Sequence, residues 1–166
     1  MAILDILKYP DERLKQVSEM VESFDDELTT FLGDLEETMR AGPGGVGIAA
    51  AQVGYFKRIA IVDVSSKPKI KHNGCMVLIN PEIKTWDGMK VGREGCMSVP
   101  DYTGNVIRAE KITLQAYNAQ GQMLDFACEG YEARAVQHEL DHLDGLLFLD
   151  RLVSRRTDLF KRKKYK

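Results

Sequence analysis

Gln137-His138-Glu139-Leu140-Asp141-His142 contains two of the three histidines in the 166-residue chain. In a helix, residues four apart stand one above the other, so His138 and His142 can aim both imidazoles at one cation. Glu139 then lies beside that cation as a general base for a metal-bound water, the H-E-x-x-H arrangement. Ala133, Val136, Leu140 and Leu143 fall on one helical stripe, and Gly145 provides a C-terminal stop. At about 100° per residue the histidines lie nearly opposite that stripe, which predicts one helix face for a core and another for chemistry. An ordinary amphipathic helix facing water would show the same letters, so a third ligand has to decide.

A third histidine of the H-E-x-x-H families would fall at position 148, which is Phe148, and no Glu occurs after Glu139. The ligand is therefore expected upstream, among Cys75, Cys96, Cys128 and His72. Cys75 and Cys128 sit at the ends of apolar runs and read as buried thiols, and His72 reads as a surface turn. Cys96 lies in Gly92-Arg93-Glu94-Gly95-Cys96-Met97-Ser98-Val99-Pro100, read as a short polar loop whose glycines let the backbone bend toward a metal.

Hydrophobic residues make up 44% of the chain and charged ones 29%, which reads as a soluble globular protein, and 166 residues as a single domain. No apolar run approaches the roughly 18 residues of a membrane span, and no basic-plus-apolar leader is present, so a cytoplasmic address is expected. Three cysteines, an odd number, argue against a disulfide framework. The net charge of -2 conceals a basic C-terminal tail: residues 151–166 hold eight Lys or Arg against Asp158 alone. Such a tail could meet a polyanion, although a solvated, frayed terminus accounts for it as well.

Residues 7–14 read as a turn-rich lead around Pro10. Asp25 or Asp26 can cap a helix carrying Leu28, Phe31, Leu32, Leu35 and Met39 at helical spacing. That helix stops in Ala41-Gly42-Pro43-Gly44-Gly45-Val46-Gly47-Ile48-Ala49-Ala50-Ala51-Gln52. Its G-x-G-x-x-G letters follow a helix and include Pro43, unlike a dinucleotide loop, so they suggest close backbone approach. Strand patterns follow at 59–64, at 76–80 ended by Pro81, at 106–108 and at 111–117. A turn at Asn118-Ala119-Gln120-Gly121 then leads into a strand at 122–128. Runs of strands with few helices indicate an α+β fold, with mostly antiparallel sheets around the motif helix, an N-terminal helix and a C-terminal helix.

Three segments, Gly45-Val46-Gly47-Ile48-Ala49-Ala50-Ala51-Gln52, Glu94-Gly95-Cys96-Met97-Ser98 and Gln137-His138-Glu139-Leu140-Asp141-His142, together resemble the three motifs of the peptide deformylase family. The resemblance implies one divalent metal on Cys96, His138 and His142, Fe(II) favoured and Zn(II) or Ni(II) able to replace it. It implies removal of the N-formyl group from formylmethionyl peptides, with Glu139 as general base. The Gln52 amide and the Met97 backbone N–H would receive charge on the formyl oxygen. Backbone at Gly45, Val46 and Gly47 would pair with the extended peptide. Val46, Tyr131, Arg134 and Ala135 would line the methionine pocket. Glu94 and Arg108 resemble a supporting ion pair of the family, although a surface salt bridge would look the same in sequence.

Three positions depart from the family pattern: Met97 where leucine is usual, Glu132 where an apolar residue is usual, and 101–105 without an arginine found in some members. They bear on preference beyond the methionine. Members of the family act on nascent chains, and together with the basic tail this suggests ribosome contact through residues 151–166; a monomer is expected. The alternatives are a divergent metal-dependent amidase or peptidase, and a non-catalytic ribosome-associated metal protein.

Overall fold

A computed structural model describes residues 2–42, 45–152 and 154–162. The first long element is helix α1, Asp26–Ala41, whose N-cap is Asp25: its side chain accepts the Leu28 N–H at 3.0 Å. Leu28, Leu32, Leu35 and Met39 form its buried stripe. Strands β1 (Gly47–Ala49), β2 (Ile59–Val62), β3 (Met76–Asp87), β6 (Lys111–Tyr117) and β7 (Met123–Glu129) form a five-stranded antiparallel sheet in the order β1-β2-β3-β6-β7. Strands β4 (Lys90–Cys96), β5 (Val99–Arg108) and β8 (Leu159–Lys161) form a second, three-stranded antiparallel sheet.

The pleat of β2 explains how helices pack on both faces of the larger sheet. Successive side chains of a strand point to opposite faces. Ile59 and Ile61 accordingly join Leu28, Leu32, Leu35 and Met39 of α1, while Ala60 and Val62 join Ala133, Val136 and Leu140 of helix α2 (Gly130–Leu143). All four β2 residues are buried, so it reads as an unbroken apolar run. A third cluster places Leu14, Leu147, Phe148 and Leu149 against Cys96, Val99 and Val106 of the smaller sheet.

Several expectations are corrected. β3 does not end at Pro81. A register irregularity between Ile79 and Glu82 accommodates the proline, and the strand continues to Asp87. Asn80, at φ 51, turns its amide to the Val21 backbone at 2.8 and 3.0 Å, fastening the N-terminal segment there. The stretch 92–100 is a β4–β5 hairpin instead of a loop. Its Gly92 is required by packing, because a Cβ there would sit 2.7 Å from the Arg134 guanidinium carbon. The C-terminal helix is a single turn, α3 (Arg155–Asp158), followed by β8, which pairs with Tyr102–Gly104. Part of the expected frayed tail is therefore sheet; Lys163–Lys166 lie outside the described residues. The alternative of an ordinary amphipathic helix facing water is set aside as well, since Glu132, Ala133 and Ala135–Leu143 of α2 are all buried.

Leu35 is fully buried between α1 and the sheet. Leu35→Ala should cost about 2–5 kcal/mol in urea unfolding, and a loss under about 1 kcal/mol would show that this face is not tightly packed.

Candidate metal centre and active site

His138 and His142 stand one turn apart on α2 with ring centroids 5.1 Å apart. The end of β4 brings Cys96 to them: its sulfur lies 3.4 Å from His142 Nε2, and one donor atom from each residue falls within 4.8 Å of the others. Zinc-like coordination, with bonds of about 2.3 Å to sulfur and 2.0–2.1 Å to nitrogen at tetrahedral angles, separates such donors by about 3.5 Å. The donor set therefore fits a divalent ion. Cys75 is exposed beside Glu36, contrary to the expected buried thiol; Cys128 is buried beside Asn73, and His72 is exposed. None of these approaches the cluster, which leaves Cys96 as the upstream ligand among the described residues.

Glu94 aligns His138. Its Oε1 lies 2.9 Å from His138 Nδ1 and accepts from Arg108 Nη2 at 2.9 Å. Its Oε2 accepts from Arg108 Nε at 2.9 Å and Arg134 Nη1 at 2.8 Å. Burial would raise the pKa of this carboxyl, but its Arg108 and His138 partners hold it well below the usual range. Arg108 also donates to Asp141, which accepts two further bonds from Arg151 at 3.1 and 2.9 Å. The Glu94–Arg108 pair is thus no surface salt bridge, its side chains being 5% and 4% exposed. It belongs to the buried scaffold behind the ligands, where outer partners fix imidazole orientation.

Gln52, in a single 3-10 turn at Ala50–Val53, accepts the Ala49 N–H at 2.9 Å through Oε1. That fixes its NH2 toward the site, where Nε2 donates to Ser98 Oγ at 3.1 Å and approaches Cys96 Sγ at 3.4 Å. Ser98 also donates its backbone N–H to the Cys96 sulfur at 3.4 Å, a contact that sequence reading missed although Ser98 is the last residue of the motif. The Met97 side chain turns away to pack with the α1 cluster.

These groups surround a cavity of about 390 Å³. Gly45, Val46 and Gly47 form one wall, Tyr131, Arg134, Ala135, His138 and Glu139 a second, and Glu94, Cys96, Met97 and Gln52 complete it. Every predicted site residue except His142 lines this cavity. Gly47 is required because a Cβ would meet Glu139 Oε2 at 2.5 Å. Among the described residues β2 is the one strand that pairs with β1, which places β1 at the edge of its sheet, where a further strand can add. Burial pushes Glu139 up to about 7, outweighing the charge of neighbouring His138, and among the described residues its Oε1 is a buried atom without a hydrogen-bond partner. A buried carboxylate atom without a partner, next to three convergent donors, suits proton transfer near neutral pH.

Residues 3–158 match the sequence profile described as polypeptide deformylase. The chain belongs to this family. It is 40% identical over 166 residues to the peptide deformylase of Thermodesulfovibrio yellowstonii, covering all of this chain and 98% of the relative. It superposes on the crystal structure of a peptide deformylase from Legionella pneumophila with a TM-score of 0.84 and 41% identity, over 91% of this chain and 86% of that one. The Met-ala-ser bound crystal structure of a class I type b peptide deformylase from Acinetobacter baumannii matches at TM-score 0.84 and 36% identity, over 91% and 99% of the two chains. The protein is a metal-dependent hydrolase that removes the N-formyl group from nascent peptides, releasing formate, and the amidase, peptidase and non-catalytic alternatives are not favoured.

Glu94→Ala would strand Arg108 and Arg134 in the interior. It should lower stability by about 3–5 kcal/mol in urea unfolding. In chelator competition it should weaken metal affinity by roughly 10- to 100-fold, because His138 loses its outer partner; unchanged affinity would remove Glu94 from the metal scaffold.

Proposed function

We propose that Cys96, His138 and His142 hold one divalent ion, Fe(II) being favoured and Zn(II) or Ni(II) able to replace it, and that the whole chain works as one catalytic domain on N-formylmethionyl peptides. The observation that carries the reading is the carboxylate oxygen of Glu139 that has no hydrogen-bond partner among the described residues, buried beside those three donors at the wall of a cavity. When bound, the ion supplies Lewis-acid polarisation of water and of the formyl carbonyl. Glu139 takes a proton from the attacking water and returns it to the departing α-amine as the C–N bond breaks. Gln52 Nε2 and the Met97 backbone N–H donate to the formyl oxygen as it gains negative charge, each worth about 2.7–4 kcal/mol of transition-state stabilisation.

The remaining residues bind and orient. The open edge of β1 at Gly45, Val46 and Gly47 pairs with the extended peptide, in line with the Met-ala-ser peptide bound by the Acinetobacter baumannii relative. Val46, Tyr131 and Ala135 enclose the methionine side chain. Glu94 and Arg134 hold the floor: Arg134 joins Glu94 to the carbonyls of Val106 and Lys90 at 3.0 and 2.7 Å. We also read the protein as a cytoplasmic monomer; among the described residues no helix is long and apolar enough to cross a membrane. Ribosome contact through residues 151–166 is supported by their charge alone. Charge reversal at Lys163, Lys164 and Lys166 that leaves low-salt ribosome co-sedimentation intact would count against it.

Formate release from formyl-Met-Ala-Ser by anaerobically prepared, Fe(II)-loaded protein tests the assignment. Glu139→Ala should lower kcat by roughly 10²- to 10⁴-fold with the metal still bound, whereas Cys96→Ser should lose the metal itself. Chelation should abolish release and added Fe(II) restore it. Activity surviving complete metal removal would sink the reading.

A further inference from the structure

The mouth of the cavity carries positive charge that neither the metal chemistry nor the methionine pocket uses. Lys67, Arg93 and Arg162 line it alongside Arg134. Arg134 is engaged by Glu94 and backbone carbonyls. The two carboxylates of the cavity, Glu94 and Glu139, are buried at 6% and 5% exposure, whereas Lys67 and Arg93 are exposed. Buried acid and accessible base put the Lys67 and Arg93 cations on the solvent side of the two carboxylates.

The rim cations are held in place by the fold. The Arg93 guanidinium lies 3.7 Å from the Phe160 ring centroid and donates to Asn105 Oδ1 at 3.0 Å and Thr103 Oγ1 at 3.3 Å. Lys67 Nζ stands 5.9 Å from the Tyr131 ring centroid, at the α2 wall. Arg162 arrives by way of β8: Lys161 pairs with Tyr102, and the Arg162 backbone N–H donates to the Asp101 carbonyl at 2.8 Å. Its guanidinium occupies the space that a Cβ on Gly95 would fill. The glycine immediately before Cys96 therefore admits an arginine from the end of the chain to the edge of the site.

We propose that Lys67, Arg93 and Arg162 form a cationic rim that selects formylmethionyl peptides carrying carboxylate side chains in the residues after the methionine. The proposal rests on the deformylase reading of the cavity. A peptide leaving the cavity in extended form advances about 3.3–3.6 Å per residue, so the next two or three side chains pass the rim. Exposed charges of this kind act mainly on encounter and orientation, and their effect is screened by salt. Nascent chains with acidic starts are then deformylated ahead of basic ones.

The test compares kcat/KM of the metal-loaded full chain for formyl-Met-Ala-Ser, formyl-Met-Glu-Glu and formyl-Met-Lys-Lys at about 0.02 M and 0.5 M KCl, which span long and short Debye lengths. At low salt the acidic peptide should exceed the neutral one by about five- to tenfold and the basic peptide should fall below it. High salt should bring the three together. In Arg162→Gln and Lys67→Gln the acidic-to-neutral ratio should fall at least about twofold; because it is taken within each variant, a general loss of activity cancels. Equal rates for the three peptides in wild type at low salt, or an unchanged ratio in both variants, would overturn the rim. No formate from formyl-Met-Ala-Ser would overturn the deformylase reading instead. Calorimetric binding of Met-Glu-Glu against Met-Ala-Ser, stronger for the acidic peptide only if the rim selects it, would then decide the proposal separately.

Discussion

The carboxylate of Glu94 is the point on which the site depends. An isolated charge at 6% exposure would be expelled or neutralised, because removing a carboxylate from water without partners costs several kcal/mol. Here Arg108, Arg134 and His138 surround it and keep it ionised. These bonds tie β4, which ends in Cys96, to α2, which carries both histidines, and to β5 through Arg108. The ligand set converges because one buried anion on β4 requires cations and an imidazole from two other elements, β5 and α2.

That arrangement requires α2 to be enclosed on all sides. Gln137 shows how its polar positions are accommodated. Oε1 accepts the Ala109 N–H at 3.0 Å, while Nε2 donates to the Ala109 carbonyl at 2.9 Å, so one side chain completes the backbone of the β5–β6 link. Glu132 behaves similarly, receiving the Asn73 backbone N–H at 2.7 Å and its side-chain amide at 2.6 Å. Buried polar groups fully paired in this way make a rigid platform, and metal ligands on a rigid helix need little reorganisation to receive an ion.

Both ends of the described chain also reach the centre. In the N-terminal segment the Leu7 N–H donates to the Gln52 carbonyl and the Tyr9 N–H to the Ser98 carbonyl, each at 2.7 Å, spanning two of the three motifs. At the other end, β8 extends the smaller sheet and carries Arg162 alongside Gly95. The cavity is thus closed by strand edges and terminal segments around a helix, with acid inside and base at its rim.

The H-E-x-x-H spacing, the caps and stripe of α1, the alternation of β6 and the cysteine beside a glycine were legible from residues alone. Each is a local pattern whose period or chemistry survives without neighbours. The resemblance to deformylase motifs then connected them. What could not be read locally was pairing across distance. A proline inside β3 becomes tolerable only once a bulge forms there. The glycine-rich stretch before Cys96 becomes a strand because Arg134 and Arg162 pack over Gly92 and Gly95. The polar face of α2 is buried because Ala109, Asn73, Glu94 and Arg108 come from elsewhere to satisfy it. Sequence determined which side chains could hold a metal and move a proton; the tertiary structure decided which groups orient them and what surrounds the mouth, because buried charge is stable only where partners distant in sequence meet it.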